Sequence, residues 1–205
     1  MNNVMINFFR KRLPVLIFVI IIFLAGIFSG AVMINSVDFS VRQNLFSYVN
    51  NFLKEFNSLG YSSTTLAGQS IKFNLLSIFL IWAFGLSLIL MPLIPILVFF
   101  KGFVLGFTVG FMVNEFNFKG ILMAIVSILP QNLIIVPVYT LAGMMGIYFS
   151  IKIFNFFRSQ KELNIEDFLS YSLLMLFLGL ISIVGSVIES FVSPMLLKVV
   201  SNLLF

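Results

Sequence analysis

Between Lys72 and Lys152 only three residues carry charge, Lys101, Glu115 and Lys119. A soluble fold cannot accommodate such a segment, because a surface needs far more charged side chains to coat it. A membrane can: the segment is long enough for three crossings of about 20 residues each. Further uncharged runs at 13–37 and 168–188 add one crossing apiece. With 60% hydrophobic and 9% charged residues, the whole chain follows the same rule. The runs lack the polar alternation of a lumen-facing strand, so helices are favoured over a barrel. The expected fold is an all-α, polytopic integral membrane bundle of about five transmembrane helices, forming one domain over residues 1–205.

Charge sets the orientation. Arg10, Lys11 and Arg12 precede the first run, and basic residues stay on the cytoplasmic side. Residues 1–12 are then cytoplasmic and 13–37 form the first crossing. Ser29-Gly30-Ala31 resembles a cleavage site, but 25 apolar residues exceed an ordinary signal-peptide core, so a retained helix is expected. Residues 38–72 lie outside. There Ser40-Val41-Arg42-Gln43 reads as a capping box, and Val41, Leu45, Tyr48, Phe52 and Phe56 repeat at helical spacing. Such an amphipathic helix rests its apolar face on the bilayer, on the protein's own helices or on a partner. The stretch 60–70 is small and polar and reads as a loop.

The second crossing is expected at 73–91, with Pro92 and Pro95 making a cytoplasmic turn, and the third at 96–113. Lys101 would lie about 8 Å from the cytoplasmic end, where its amine either snorkels to the headgroups or holds a buried carboxylate or carbonyl. The run 120–151 exceeds one straight crossing and contains Pro130 and Pro137. Gln131 and Asn132 follow the first proline, and amides are costly in lipid. They imply a helix broken or re-entrant near Pro130, facing protein or a wet cavity. Lys152, Arg158 and Lys161 mark 152–167 as a cytoplasmic loop. Adjacent Glu166 and Asp167 point apart and read as a solvated helix start. The fifth crossing, 168–192, carries Glu189 near its outer end, within reach of a cation such as Lys72 or Lys119. Residues 193–205 form an external tail.

Small residues recur at spacing four along several crossings: Gly26 and Gly30; Gly102, Gly106 and Gly110; Ala142, Gly146 and Ser150; Ser182, Ser186 and Ser190. That spacing lines one helical face with small side chains and opens a groove for a neighbouring backbone. The groove at 102–110 is a packing surface. It is not a phosphate loop, since no strand and turn precede it.

Cysteine and histidine are absent. Disulfides, thiolate or imidazole metal sites and Cys or His nucleophile–base pairs are thereby excluded. Paired intramembrane aspartates are missing too, because Asp38 and Asp167 both fall in connections. No catalytic residue, cofactor or metal site is expected. The +5 formal charge is dispersed or sits at membrane edges, which argues for orientation and against nucleic acid.

The stretches 74–111, ILPQNLIIVPVY at 128–139, SGAVMINSVD at 29–38 and NLFSYVNNF at 44–52 together resemble the stage II sporulation protein M family. The resemblance spans nearly the whole chain. It implies a non-enzymatic membrane protein of endospore-forming bacteria, made in the mother cell for engulfment of the forespore. It also implies a scaffold at the septal membrane that organises two peptidoglycan-remodelling hydrolases, the stage II sporulation proteins D and P. Lipids and a second copy of the chain are the other expected partners. The residues of this sequence that the resemblance covers are Gly102, Gly106, Gly110, Lys101, Pro130, Gln131 and Asn132, with no catalytic motif among them. A small transporter or channel component, with a polar site at the broken helix, is the alternative.

Overall fold

A computed structural model describes residues 2–59, 63–159 and 164–204, with side chains described for 12–48, 51, 67–158 and 164–191. The described chain is helical, with no strand. Helix α1 (Asn2–Met33) leads through a short 3-10 turn (Ile34–Ser36) to α2 (Phe39–Leu59); α3 (Ser63–Gly85), α4 (Leu93–Ser159) and α5 (Ile165–Leu204) follow. Among the described residues, four stretches are long and apolar enough to cross a membrane: Arg12–Ser36, Ala67–Gly85, Leu93–Arg158 and Ile165–Phe191.

Helix α4 would span about 100 Å if straight, three times the hydrocarbon thickness. It folds back at Asn117, whose φ of 51° and ψ of −129° are not helical. This pair lies outside the helical, extended and left-handed regions open to side chains with a Cβ, so the turn is held against local preference. Two arms result, 93–116 and 118–159. They run antiparallel: Gly143 faces the Val98 side chain and Gly146 that of Ile94, while Gly120 presses on the Met112 backbone. Any side chain at Gly120 would collide there, so the hairpin tip needs a glycine.

The first arm lies parallel to α1. Phe23 and Ile27 sit over Gly102, Ile27 over Gly106 and Ala31 over Gly110, so residue numbers rise together along both helices. Helix α3 runs antiparallel to α5, with Asn74 beside Ser186 and Trp82 beside Ser172. The core gathers where these helices converge, around Val19, Ile81, Ile94, Val98, Tyr139 and Ala142, all nearly inaccessible.

Local geometry departs from the sequence expectations in four places. First, the second arm stays helical through Pro130 and Pro137; the non-helical residue within α4 is Asn117, so the break expected near Pro130 does not occur. Ile135, Val138, Tyr139 and Ala142 pack into the core beside the prolines. That packing holds the helix together against the lost backbone hydrogen bonds. Second, Ser63 to Ser70 form the first turns of α3, not a loop. Third, α3 ends at Gly85, short of residue 91, and α4 begins at Leu93, ahead of residue 96. Bonds from Leu86 N–H to the Ala83 carbonyl (3.2 Å) and from Ser87 N–H to that of Phe84 (3.1 Å) tighten the last turn. Pro92 and Pro95 fall just before and within the first turn of α4, where a missing N–H is no loss. Fourth, α2 starts at Phe39, with the Asp38 carbonyl accepting the Arg42 N–H at 3.0 Å. Ser40 is therefore inside the helix and does not cap it.

Candidate functional site

Four arrangements bear on function, one at each end of the bundle and two within it. At one end of the bundle, Arg42 projects from the first turn of α2. Its guanidinium donates to the Asn114 Oδ1 at 3.0 Å and to the Ile34 carbonyl at 2.7 Å, and lies 3.7 Å from Glu115. Asn114 in turn donates to Asn35 Oδ1 at 3.3 Å. One turn further along α2, Phe46 stacks on Phe116 at 5.6 Å between ring centroids. Residues four apart share a helix face, so Arg42 and Phe46 form a single edge that clamps α2 to the tip of the α4 hairpin.

The other edge faces away. Val41 is 47% and Tyr48 73% exposed; Leu45 is half-buried. The side chains of Phe52 and Phe56 lie outside the described residues. Helix α2 thus presents part of its apolar stripe outward from a fixed mount.

Inside the bundle, Asn74 of α3 is a polar hub. Its Nδ2 donates to Ser186 Oγ at 2.9 Å, and its Oδ1 accepts from the Lys101 amine at 2.9 Å and from the Tyr139 hydroxyl at 3.3 Å. The Lys101 amine also sits 4.8 Å from the centre of the Tyr139 ring, a cation–π distance. Lys101 lies eight residues into α4, about 12 Å along it. Its amine is held within the bundle by Asn74 and does not reach back along its own helix. Beside it is a cavity of about 310 Å³ lined by Lys101, Gln131, Asn132, Tyr139 and Glu189 among apolar neighbours. Glu189 therefore shares its space with Lys101. Asn132 also folds back on its own helix, donating to the Ile128 carbonyl at 2.8 Å.

The glycine stripes form a seam. A Cβ at Gly102 would strike the Phe23 carbonyl oxygen and one at Gly106 the Ile27 carbonyl; on the facing helix, Gly26 and Gly30 are pressed against the Phe99 and Phe103 carbonyls. Close backbone contact without side chains is the membrane equivalent of a buried core. The other two stripes serve different neighbours. Ala142 is fully buried, Gly146 meets Ile81 and Ile94, and Ser150 donates weakly to the Ser87 carbonyl at 3.4 Å. Ser182 and Ser186 are buried on α5, where Ser186 meets Asn74.

At the end of the bundle opposite α2, the Arg12 guanidinium lies 4.4 Å over the Tyr148 ring, and Lys152 pairs with Asp167 at 2.6 Å. Asp167 is therefore engaged across two helices, not merely solvated.

Sequence reasoning missed Asn74, Asn114 and the role of Arg42. Asn74 had a signal: an amide at the start of an uncharged run, of the same kind that singled out Gln131 and Asn132. Arg42 had none, because the side chains it meets, Asn114 and Glu115, are 72 and 73 residues away. Among the described residues, no cluster of three or more acids could hold a metal ion.

The family described as Stage II sporulation protein M matches residues 19–194. No curated protein and no solved structure matches the chain.

Proposed function

The chain belongs to the stage II sporulation protein M family, which makes it a sporulation-related membrane protein, and we propose that it is a non-enzymatic scaffold of the engulfment machinery. In this reading it sits in the septal membrane and recruits the peptidoglycan hydrolases of the stage II sporulation D and P type. One observation carries the reading: α2 is fixed to the hairpin tip by Arg42 and Phe46 while Val41 and Tyr48 stay uncovered. Arg42 and Phe46 orient the first turns of α2 and leave its other edge open to a partner. The test is co-purification of tagged D- and P-type proteins with the full chain, wild type against Val41→Glu/Tyr48→Glu. Retention by wild type and loss in the double variant, at equal membrane abundance, supports the scaffold. Equal retention by both removes α2 from the interface.

A second reading is favoured by the intramembrane cavity. Ionisable groups at membrane depth commonly mark a solute path, and Lys101 and Glu189 line one cavity with two amides. A small transporter or channel component would then use this polar site. Its test is solute flux through reconstituted protein, abolished by Lys101→Met and Glu189→Gln. Absence of flux across a panel of small ions and amino acids counts against it.

A further inference from the structure

We propose that the cavity between α1, the second arm of α4 and α5 at the cytoplasmic face binds one anionic glycerophospholipid, its phosphate held by Arg12 and Lys152. The cavity measures about 280 Å³, and its wall includes Arg12, Met145, Lys152, Asp167, Ser170 and Leu174. Helix direction sorts these residues by depth. Met145 precedes Lys152 by seven residues on an arm running inward, and Leu174 follows Asp167 by seven on a helix running outward. Each apolar residue is therefore about 10 Å deeper than its charged counterpart. The mouth is cationic and hydroxylated, the floor apolar.

That polarity selects an amphiphile over a soluble anion. Lipid-facing side chains continue the path on both flanks: Leu13 and Ile17 on α1, and Leu169 and Leu173 on α5, are each 48–61% exposed. Acyl chains can lie along them while the headgroup occupies the mouth. Both cations are held in position, Arg12 over the Tyr148 ring and Lys152 by Asp167. An ammonium has three donors, so Lys152 keeps donors for phosphate after engaging Asp167. Among the residues that line the cavity, two cations face one carboxylate. That excess of cations favours an anionic headgroup over a neutral one. Lys152 already pairs with Asp167, so the carboxylate in the cavity wall is engaged before the headgroup amine of a zwitterionic lipid could meet it. Basic pockets between membrane helices at the cytoplasmic surface are established sites for anionic headgroups.

The experiment is native mass spectrometry of the purified full-length chain with phosphatidylglycerol, phosphatidylcholine and phosphatidylethanolamine of identical acyl chains. The expected result is preferential retention of one phosphatidylglycerol, lowered about fivefold by Arg12→Gln. Ser170→Leu, which fills the mouth without changing charge, should lower it as well. Arg158→Gln, at the exposed end of α4 away from the cavity, should not. Excess inorganic phosphate should not displace the lipid. Equal retention of the three lipids, an equal loss in Arg158→Gln, or displacement by phosphate would each overturn the proposal. If Arg12→Gln does not accumulate, wild-type discrimination and Ser170→Leu decide the matter.

Discussion

The Arg42 guanidinium reaches the Asn114 Oδ1 at 3.0 Å, joining residues 72 positions apart. This bond joins helix α2 to the α4 hairpin, and the same guanidinium also donates to the Ile34 carbonyl at the exit of α1. Three segments converge on one side chain. The consequence is a peripheral helix whose orientation is set by the membrane bundle, with its apolar edge turned outward.

Arg42→Ala should release α2 from this mount. Hydrogen bonds to a charged group at a partly exposed site stabilise by about 1–2 kcal/mol, too little to unfold the bundle. We expect near-normal membrane abundance, faster protease cleavage within α2 and weaker retention of the hydrolases. Limited proteolysis of membranes, read alongside co-purification, checks it. Unchanged cleavage would show that Phe46 and Phe116 suffice as the mount.

Gly106→Leu should separate α1 from the first arm of α4, because the new side chain would occupy the space of the Ile27 backbone. Overpacking of a close contact costs about 1–3 kcal/mol and more when backbones must part. Gly68→Leu is the control, since nothing lies within 4 Å of a Cβ there. Thermal stability in detergent should fall for the first and hold for the second. Equal stability would reduce the seam to incidental contact.

Asn74→Leu should destabilise the bundle by leaving the Lys101 amine without its acceptor. Lys101→Met in the same chain should recover part of the loss, since it removes the stranded charge. A double-mutant cycle is expected to give a coupling of about 0.5–2 kcal/mol. Strict additivity would mean that Lys101 finds another partner at no cost.

Asn117→Gly should stabilise the hairpin by about 0.5–1 kcal/mol, because φ of 51° with ψ of −129° is costly for any residue with a Cβ. Asn117→Val should do the reverse. Melting temperatures of both variants decide; a loss in the glycine variant would show that the Asn side chain itself holds the turn.

Much of this architecture was legible in the sequence, for physical reasons. Uncharged runs of membrane length announce an all-helical membrane bundle, since lipid leaves backbone polar groups no other way to be satisfied. Spacing of four identifies the faces of Gly102, Gly106 and Gly110. It does not identify their partner, because periodicity describes one helix and packing involves two. Pro130 misled for a similar reason: local propensity favours a break there, while core packing of Ile135 and Tyr139 overrides it. Lys101 was visible as an anomaly, but its acceptor Asn74 became evident only when α3 and α4 were placed side by side.

The outward edge of α2 is tested most directly by following fluorescent D- and P-type hydrolases in sporulating cells that carry Val41→Glu/Tyr48→Glu at normal membrane abundance. The scaffold account expects both hydrolases to disperse from the septum and engulfment to stop with the septal wall unthinned. Hydrolases that remain at the septum, with engulfment completed at the wild-type rate, would contradict it.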